Sequence, residues 1–112
     1  MREAVIVSTA RTPIGKAFRG AFNDTQAQEM AGHAIAEAVK RSKVSKEEID
    51  DVIIGAAGQQ GSQQGNIARQ SLLRAGLPVS VAGMSLDRQC ASGMMAIATA
   101  AAVAIALSLI HI

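Results

Sequence analysis

The chain of 112 residues has no tryptophan, no tyrosine and only two phenylalanines. Its core must therefore be built from Ala, Val, Ile, Leu and Met, so elements have to approach closely to fill space. There is one cysteine, Cys90, which excludes an internal disulfide and a metal site made of cysteines alone. Two histidines leave little for metal ligation. His33 sits four residues from both Glu29 and Glu37 and reads as a solvated side chain; a metal role would need further converging ligands. Charge of either sign is also short: eleven basic against nine acidic residues give +2. The only basic cluster is Lys40, Arg41, Lys43 and Lys46, with no aromatic side chain beside it. That argues against a nucleic-acid interface. The start, "MREAVIVSTARTP", has too short an apolar run for a secretory signal, so a reducing compartment, the cytoplasm, is expected.

What is present is an alternation of strand-like and helix-like segments. With 49% hydrophobic and 18% charged residues the chain is globular in character. Ala4 to Ala10, "AVIVSTA", predicts a strand buried on both faces. Pro13, Gly15 and Gly20 break the loop after it. Thr25 and Gln28 fit a capping box ahead of a helix whose apolar face is Ala27, Met30, Ala31, Ala34, Ile35, Ala38 and Val39. Ser45 with Glu48 predicts a short helical turn, and "DVIIGAAG" a second buried strand. A helix follows over Asn66 to Ala75, stopped by Gly76 and Pro78. A third strand is expected around Val81 to Leu86. Val52 to Leu86 holds no acidic residue and two basic ones, so it is expected to be covered.

Two segments invite chemistry. The loop "GQQGSQQGN", Gly58 to Asn66, follows a strand and opens a helix. Its glycine spacing lacks both the dinucleotide fingerprint and the Gly-Lys-Ser/Thr of a phosphate loop. A subunit contact or a support for the site is the better reading. "DRQCASGMMAIATAA", Asp87 to Ala101, runs from a charged turn through Cys90 into an apolar helix. A helix start presents unpaired N–H groups and the positive end of the macrodipole, which favour a thiolate. Ala91, Ser92 and Gly93 keep bulk away, so a carbonyl oxygen can reach backbone N–H groups. An inert buried thiol in an Ala-rich helix fits the spacing as well.

Three stretches together resemble the N-terminal part of the thiolases: "VIVSTARTPIGK", "GNIARQSLLRAGLP" and "DRQCASGMMAIATAA". Family members commonly carry Asn-Arg-x-Cys-x-Ser-Gly in the last; Asp87 departs from it. The resemblance, over about Met1 to Ala101, implies an α/β fold with a mostly parallel sheet, a truncated first half of order βαβαβα. It implies that Cys90 is the acyl-accepting nucleophile and that its backbone N–H serves an oxyanion hole. Coenzyme A is then a co-substrate and acyl-CoA the substrate, with no bound metal or redox cofactor, in a homodimer or homotetramer without nucleic acid or membrane. The resemblance also implies missing parts. No Gly-His-Pro histidine and no second cysteine occur, so this segment alone is expected to be inactive.

Competing readings are a non-catalytic thiolase-like lipid-binding or scaffolding protein and a tail-anchored membrane protein. Met94 to Ile112 holds no Lys, Arg, Asp or Glu, which is near a bilayer-spanning length. The domain expected is 1–106, with 107–112 as a non-native or divergent tail. "LSLIHI" is what CTG-TCT-CTT-ATA-CAC-ATC encodes, the string of a transposon-end sequencing adapter. On that reading His111 has no function.

Overall fold

A computed structural model describes residues 2–107 and 110–112. Its elements run α1 (Ala27–Ser42), β1 (Asp51–Gly55), α2 (Ile67–Arg74), β2 (Ala82–Leu86) and α3 (Ser92–Leu107). Single 3-10 turns lie at Lys46–Glu48 and Gly61–Gln63. β1 and β2 pair in parallel, from Asp51 against Ala82 to Gly55 against Leu86. The class is α/β, as the sequence predicts.

The core lies on one face of this pair. Ile35 and Val39 of α1, Val52 of β1, Ala68 and Leu72 of α2 meet Ile49, Leu77 and Val81 there. Leu72 and Ala68 are fully excluded from water. Close approach replaces bulk, as the lack of aromatics requires. A Cβ at Gly32 would lie 3.1 Å from Ser71 O and the Arg74 side chain, so α1 and α2 touch at a glycine. A Cβ at Gly83 would lie 2.8 Å from Arg69 N, so β2 runs against the backbone of α2. On the opposite face, a Cβ at Gly55 would lie 2.2 Å from Ser92 C and O. The end of β1 thus rests directly on the start of α3.

Local signals account for most boundaries. Ser45 N–H donates to Glu48 Oε2 at 3.2 Å, within the predicted capping box. α2 stops where expected: Gly76 N–H donates to Leu73 O and Leu77 N–H to Leu72 O, both at 3.1 Å, with Gly76 at φ 76°. This double closure also buries Leu77 against Leu72. Arg41 donates to Glu37 at 2.9 Å and holds that exposed carboxyl below its ordinary range. The pair supports α1 at neutral pH and weakens as pH falls through the lowered value.

Two expectations are corrected. The capping box of Thr25 and Gln28 is absent: α1 starts with Gln26 at its cap, with no side-chain cap bond. Gln28 falls one position too early to reach back, and its amide bonds Gln26 instead. The strand over Ala4 to Ala10 does not form, and the order lacks its first β. Val5, Ile6 and Val7 are 74%, 76% and 64% exposed. The β1 edge away from β2 is occupied by the last three residues. Asp50 and Ile53 N–H groups donate to Ile110 O and Ile112 O at 2.9 and 2.7 Å, and Ile112 N–H to Asp51 O at 3.1 Å. Ser108 and Leu109 of the proposed tail lie outside the described residues. Ser8 and Thr9 are instead tied to α1, through Ala38 O and the Arg41 guanidinium, both at 2.8 Å.

α3 has only Ser92 and Ala96 buried, while Met94, Ile97 and Leu107 are exposed. With its preceding turn, Gln89–Leu107 is long and apolar enough to cross a membrane by length and composition.

Leu72→Ala is expected to lower unfolding stability by about 2–5 kcal/mol, read as the urea midpoint, because the site is closed on all sides. Gly55→Ala is expected to cost about 1–3 kcal/mol or more, since backbone has to move. Gly58→Ala is the control: the nearest atom to its Cβ is a glutamine side chain at 3.7 Å, so its midpoint should stay near wild type.

Candidate functional site

Both strands point their carboxyl ends toward the same edge, and there β2 leaves the sheet at Leu86. Asp87 to Ala91 turn the chain into α3, and Cys90 lies on that turn, exposed. Open α/β sheets bind ligands at such carboxyl edges.

The turn is tightly held. Asp87 Oδ1 accepts from Gln89 N–H at 2.8 Å, so the side chain closes the turn on its own backbone. Asp87, the residue that departs from the Asn-Arg-x-Cys pattern of the resemblance, thus closes the turn with a carboxylate oxygen. Gln89 has φ 50°, the left-handed region. A residue with a Cβ pays about 1–2 kcal/mol there, so neighbouring bonds must hold it. Ser92 provides them. Its Oγ accepts from Arg88 N–H at 2.9 Å and donates to Gln89 O at 2.7 Å. Ala91 N–H and Ser92 N–H donate to Arg88 O and Gln89 O at 3.0 and 3.1 Å. The result puts Cys90 two residues ahead of the first residue of the helix. Beside it, the space where a side chain at Gly93 would stand is open. A ligand carbonyl can therefore come close to the first turn of α3.

The sequence treats Ser92 as merely small. The structure finds it 4% exposed, with its hydroxyl used twice. Gly55 is likewise missed as a contact. The available signal is a glycine inside a strand pattern, which marks a close approach of another backbone.

The Gln/Gly loop has its own anchor. Asn66, at φ 66°, caps α2 by accepting from Arg69 N–H at 3.1 Å and donates to Gly83 O at 2.8 Å. Ser85 Oγ donates to Asn66 Oδ1 at 3.1 Å and accepts from Ala68 N–H at 3.2 Å. The Arg69 guanidinium reaches Val81 O and Val79 O. These bonds join the loop and α2 to the strand that leads to Cys90.

Neither histidine joins Cys90. His33 is exposed on α1. Its neighbours Glu29 and Glu37 pair instead with Arg74 and Arg41, at 2.8 and 2.9 Å. His111 is buried at the Asp51 end of β1, its Nδ1 4.0 Å from Asp51 Oδ2. That is the opposite end of the parallel sheet from the turn. Among the described residues no three His, Cys, Asp or Glu side chains converge as a metal site.

The sequence of the chain matches known proteins. The family model described as "Thiolase, N-terminal domain" matches residues 4–109. The chain is 42% identical over 101 residues to a 3-ketoacyl-CoA thiolase of Bacillus subtilis (strain 168), covering 90% of this chain and 26% of that protein. It is 43% identical over 102 residues to the 3-oxoadipyl-CoA/3-oxo-5,6-dehydrosuberyl-CoA thiolase of Escherichia coli (strain K12), covering 90% and 25%. An acetyl-CoA acetyltransferase of Syntrophomonas wolfei is 38% identical over 102 residues, covering 91% and 25%. The chain thus spans about a quarter of the length of these curated relatives. With an α/β fold, a cysteine turn at the carboxyl edge of a parallel sheet and a match that runs through nearly every element, the chain belongs to the thiolase family, as its N-terminal domain.

Proposed function

We propose that this chain is the nucleophile-bearing part of a thiolase-type acyltransferase, and that Cys90 carries the acyl group as a thioester. The observation that carries the reading is the placement of the only thiol. It is exposed on a pinned turn, ahead of a helix, at the carboxyl edge of the sheet. The relatives named as thiolases and acetyltransferases support the same chemistry.

In the cleavage direction, Cys90 Sγ attacks the C3 carbonyl of a 3-oxoacyl-CoA. The adduct's oxyanion is met by backbone N–H groups, that of Cys90 included. On collapse the C2–C3 bond breaks. The acyl group stays on Sγ, and the electron pair leaves with acetyl-CoA as its enolate, which takes a proton. The thiol of free CoA then attacks the thioester, forms the shortened acyl-CoA and releases Cys90. The reverse sequence joins two acyl-CoA molecules in a Claisen condensation. Neither direction calls for a metal or a redox group.

The base that activates the thiols and the acid that protonates the enolate come, on this reading, from a Gly-His-Pro histidine and a second cysteine in the rest of a longer protein. The same remainder covers the exposed apolar face of α3, in place of a lipid bilayer, and completes a cytoplasmic homodimer or homotetramer.

In the full-length protein, incubation with acyl-CoA followed by peptide mass analysis should place the thioester on Cys90. Cys90→Ser should lower thiolysis by several orders of magnitude; retention of wild-type thiolysis would remove Cys90 from the mechanism. The chain of 112 residues by itself should give no steady cleavage of 3-oxoacyl-CoA. Turnover by the purified chain that Cys90→Ala abolishes would show that the histidine and the second cysteine are dispensable.

A further inference from the structure

We infer that Ser92 is the positioning residue of this site: its buried hydroxyl fixes the turn that presents Cys90, and through that turn sets the rate at which Cys90 is acylated. The inference rests on the reading of Cys90 as acyl acceptor and adds to it the residue that aims the thiol.

Three observations converge on Ser92. First, one hydroxyl serves both ends of the two-residue stretch just before the thiol. It accepts from Arg88 N–H at 2.9 Å and donates to Gln89 O at 2.7 Å. Second, Gln89 stands in the left-handed region, which a glutamine leaves unless its peptide groups are held. Gln89 O accepts from both the hydroxyl and the N–H of Ser92. Loss of the hydroxyl leaves a single backbone bond on that carbonyl and none from Ser92 to Arg88 N–H. Third, Ser92 is itself packed against the sheet. It is 4% exposed, and its carbonyl lies where a Cβ on Gly55 would be 2.2 Å away. The hydroxyl therefore transfers the position of the sheet to the turn.

Ser92 is buried and both bonds of its hydroxyl go to the turn, so it acts through Cys90. That separates its signature from a residue that binds substrate. Freed of Ser92, the turn relaxes at Gln89, and Sγ moves relative to the N–H groups of the first turn of α3. Misplacement of a reacting atom on the scale of 1 Å lowers the chemical step far more than it lowers binding.

The test compares Ser92→Ala, Ser92→Thr and Ser92→Val in the full-length protein. Threonine and valine share a shape and differ in the hydroxyl. Ser92→Ala and Ser92→Val should lower kcat by about 10- to 100-fold with KM little changed, and Ser92→Thr should stay within about threefold of wild type. Ala96→Gly, which loosens α3 without touching the turn, should leave kcat unchanged. Equal kcat for the threonine and valine variants overturns the inference, as does an equal fall in Ala96→Gly. If Ser92→Ala does not fold, the threonine–valine pair decides alone. Cys90→Ala separates the two levels. Should it retain thiolysis, the reading of Cys90 fails. Should it abolish thiolysis while Ser92→Val matches Ser92→Thr, only the role of Ser92 fails.

Discussion

The position of Cys90 depends on a contact that contains no side chain. The Cα of Gly55, at the end of β1, lies against the backbone of Ser92 and Gly93 at the start of α3. Every other part of the site is referenced to that contact. β1 is fixed by its parallel pairing with β2 and by Val52 in the core. α3 can seat only at the depth that a missing Cβ allows. The turn from Asp87 to Ala91 then has both ends set, one by β2 and one by α3, and the left-handed residue between them is the geometry that closes it. A chain without large aromatics depends on such approaches. Gly32 against α2 and Gly83 against Arg69 repeat the device elsewhere in the same small domain.

Polar groups complete what packing begins. The left-handed conformation of Gln89 costs about 1–2 kcal/mol. Hydrogen bonds of the ordinary kind are worth about 1 kcal/mol net each, more when a buried partner would otherwise be left without one. Asp87 Oδ1 and the two bonds of the Ser92 hydroxyl are together enough to hold the turn. Asn66 does similar work one element away, joining the start of α2 to Gly83 and Ser85 of β2. The Asn66 network fastens the strand that delivers the thiol, and the Ser92 network fastens the turn after it.

Much of this was legible in the residues. The Gly76 stop, the Ser45–Glu48 turn, both strands of the sheet and the thiol at a strand-to-helix turn follow from propensity and pattern, which act over a few residues. Gly32, Gly55 and Ser92 were not legible, because their meaning lies in what a distant segment brings against them. A glycine in a strand announces that something comes close without saying what. The strand over Ala4 to Ala10 failed for a related reason. Its own preference is extended, but an extended run becomes a strand only with a partner edge, and the edge of β1 is bonded to Ile110 and Ile112. Capping at Thr25 failed over a single residue of register, which local preference does not set.

The displaced N-terminal run has a colloidal consequence. "AVIVSTA" has seven residues with no charge, no proline and no glycine, and its β-branched side chains face water. Such a stretch pairs readily with an identical stretch of another molecule, because each strand satisfies the other's backbone and the interface dries as it forms. Dilution and concentration then act on this chain in opposite senses. Dilute, it keeps the sheet it has; concentrated, it offers other copies the extended partner that its own β1 does not receive.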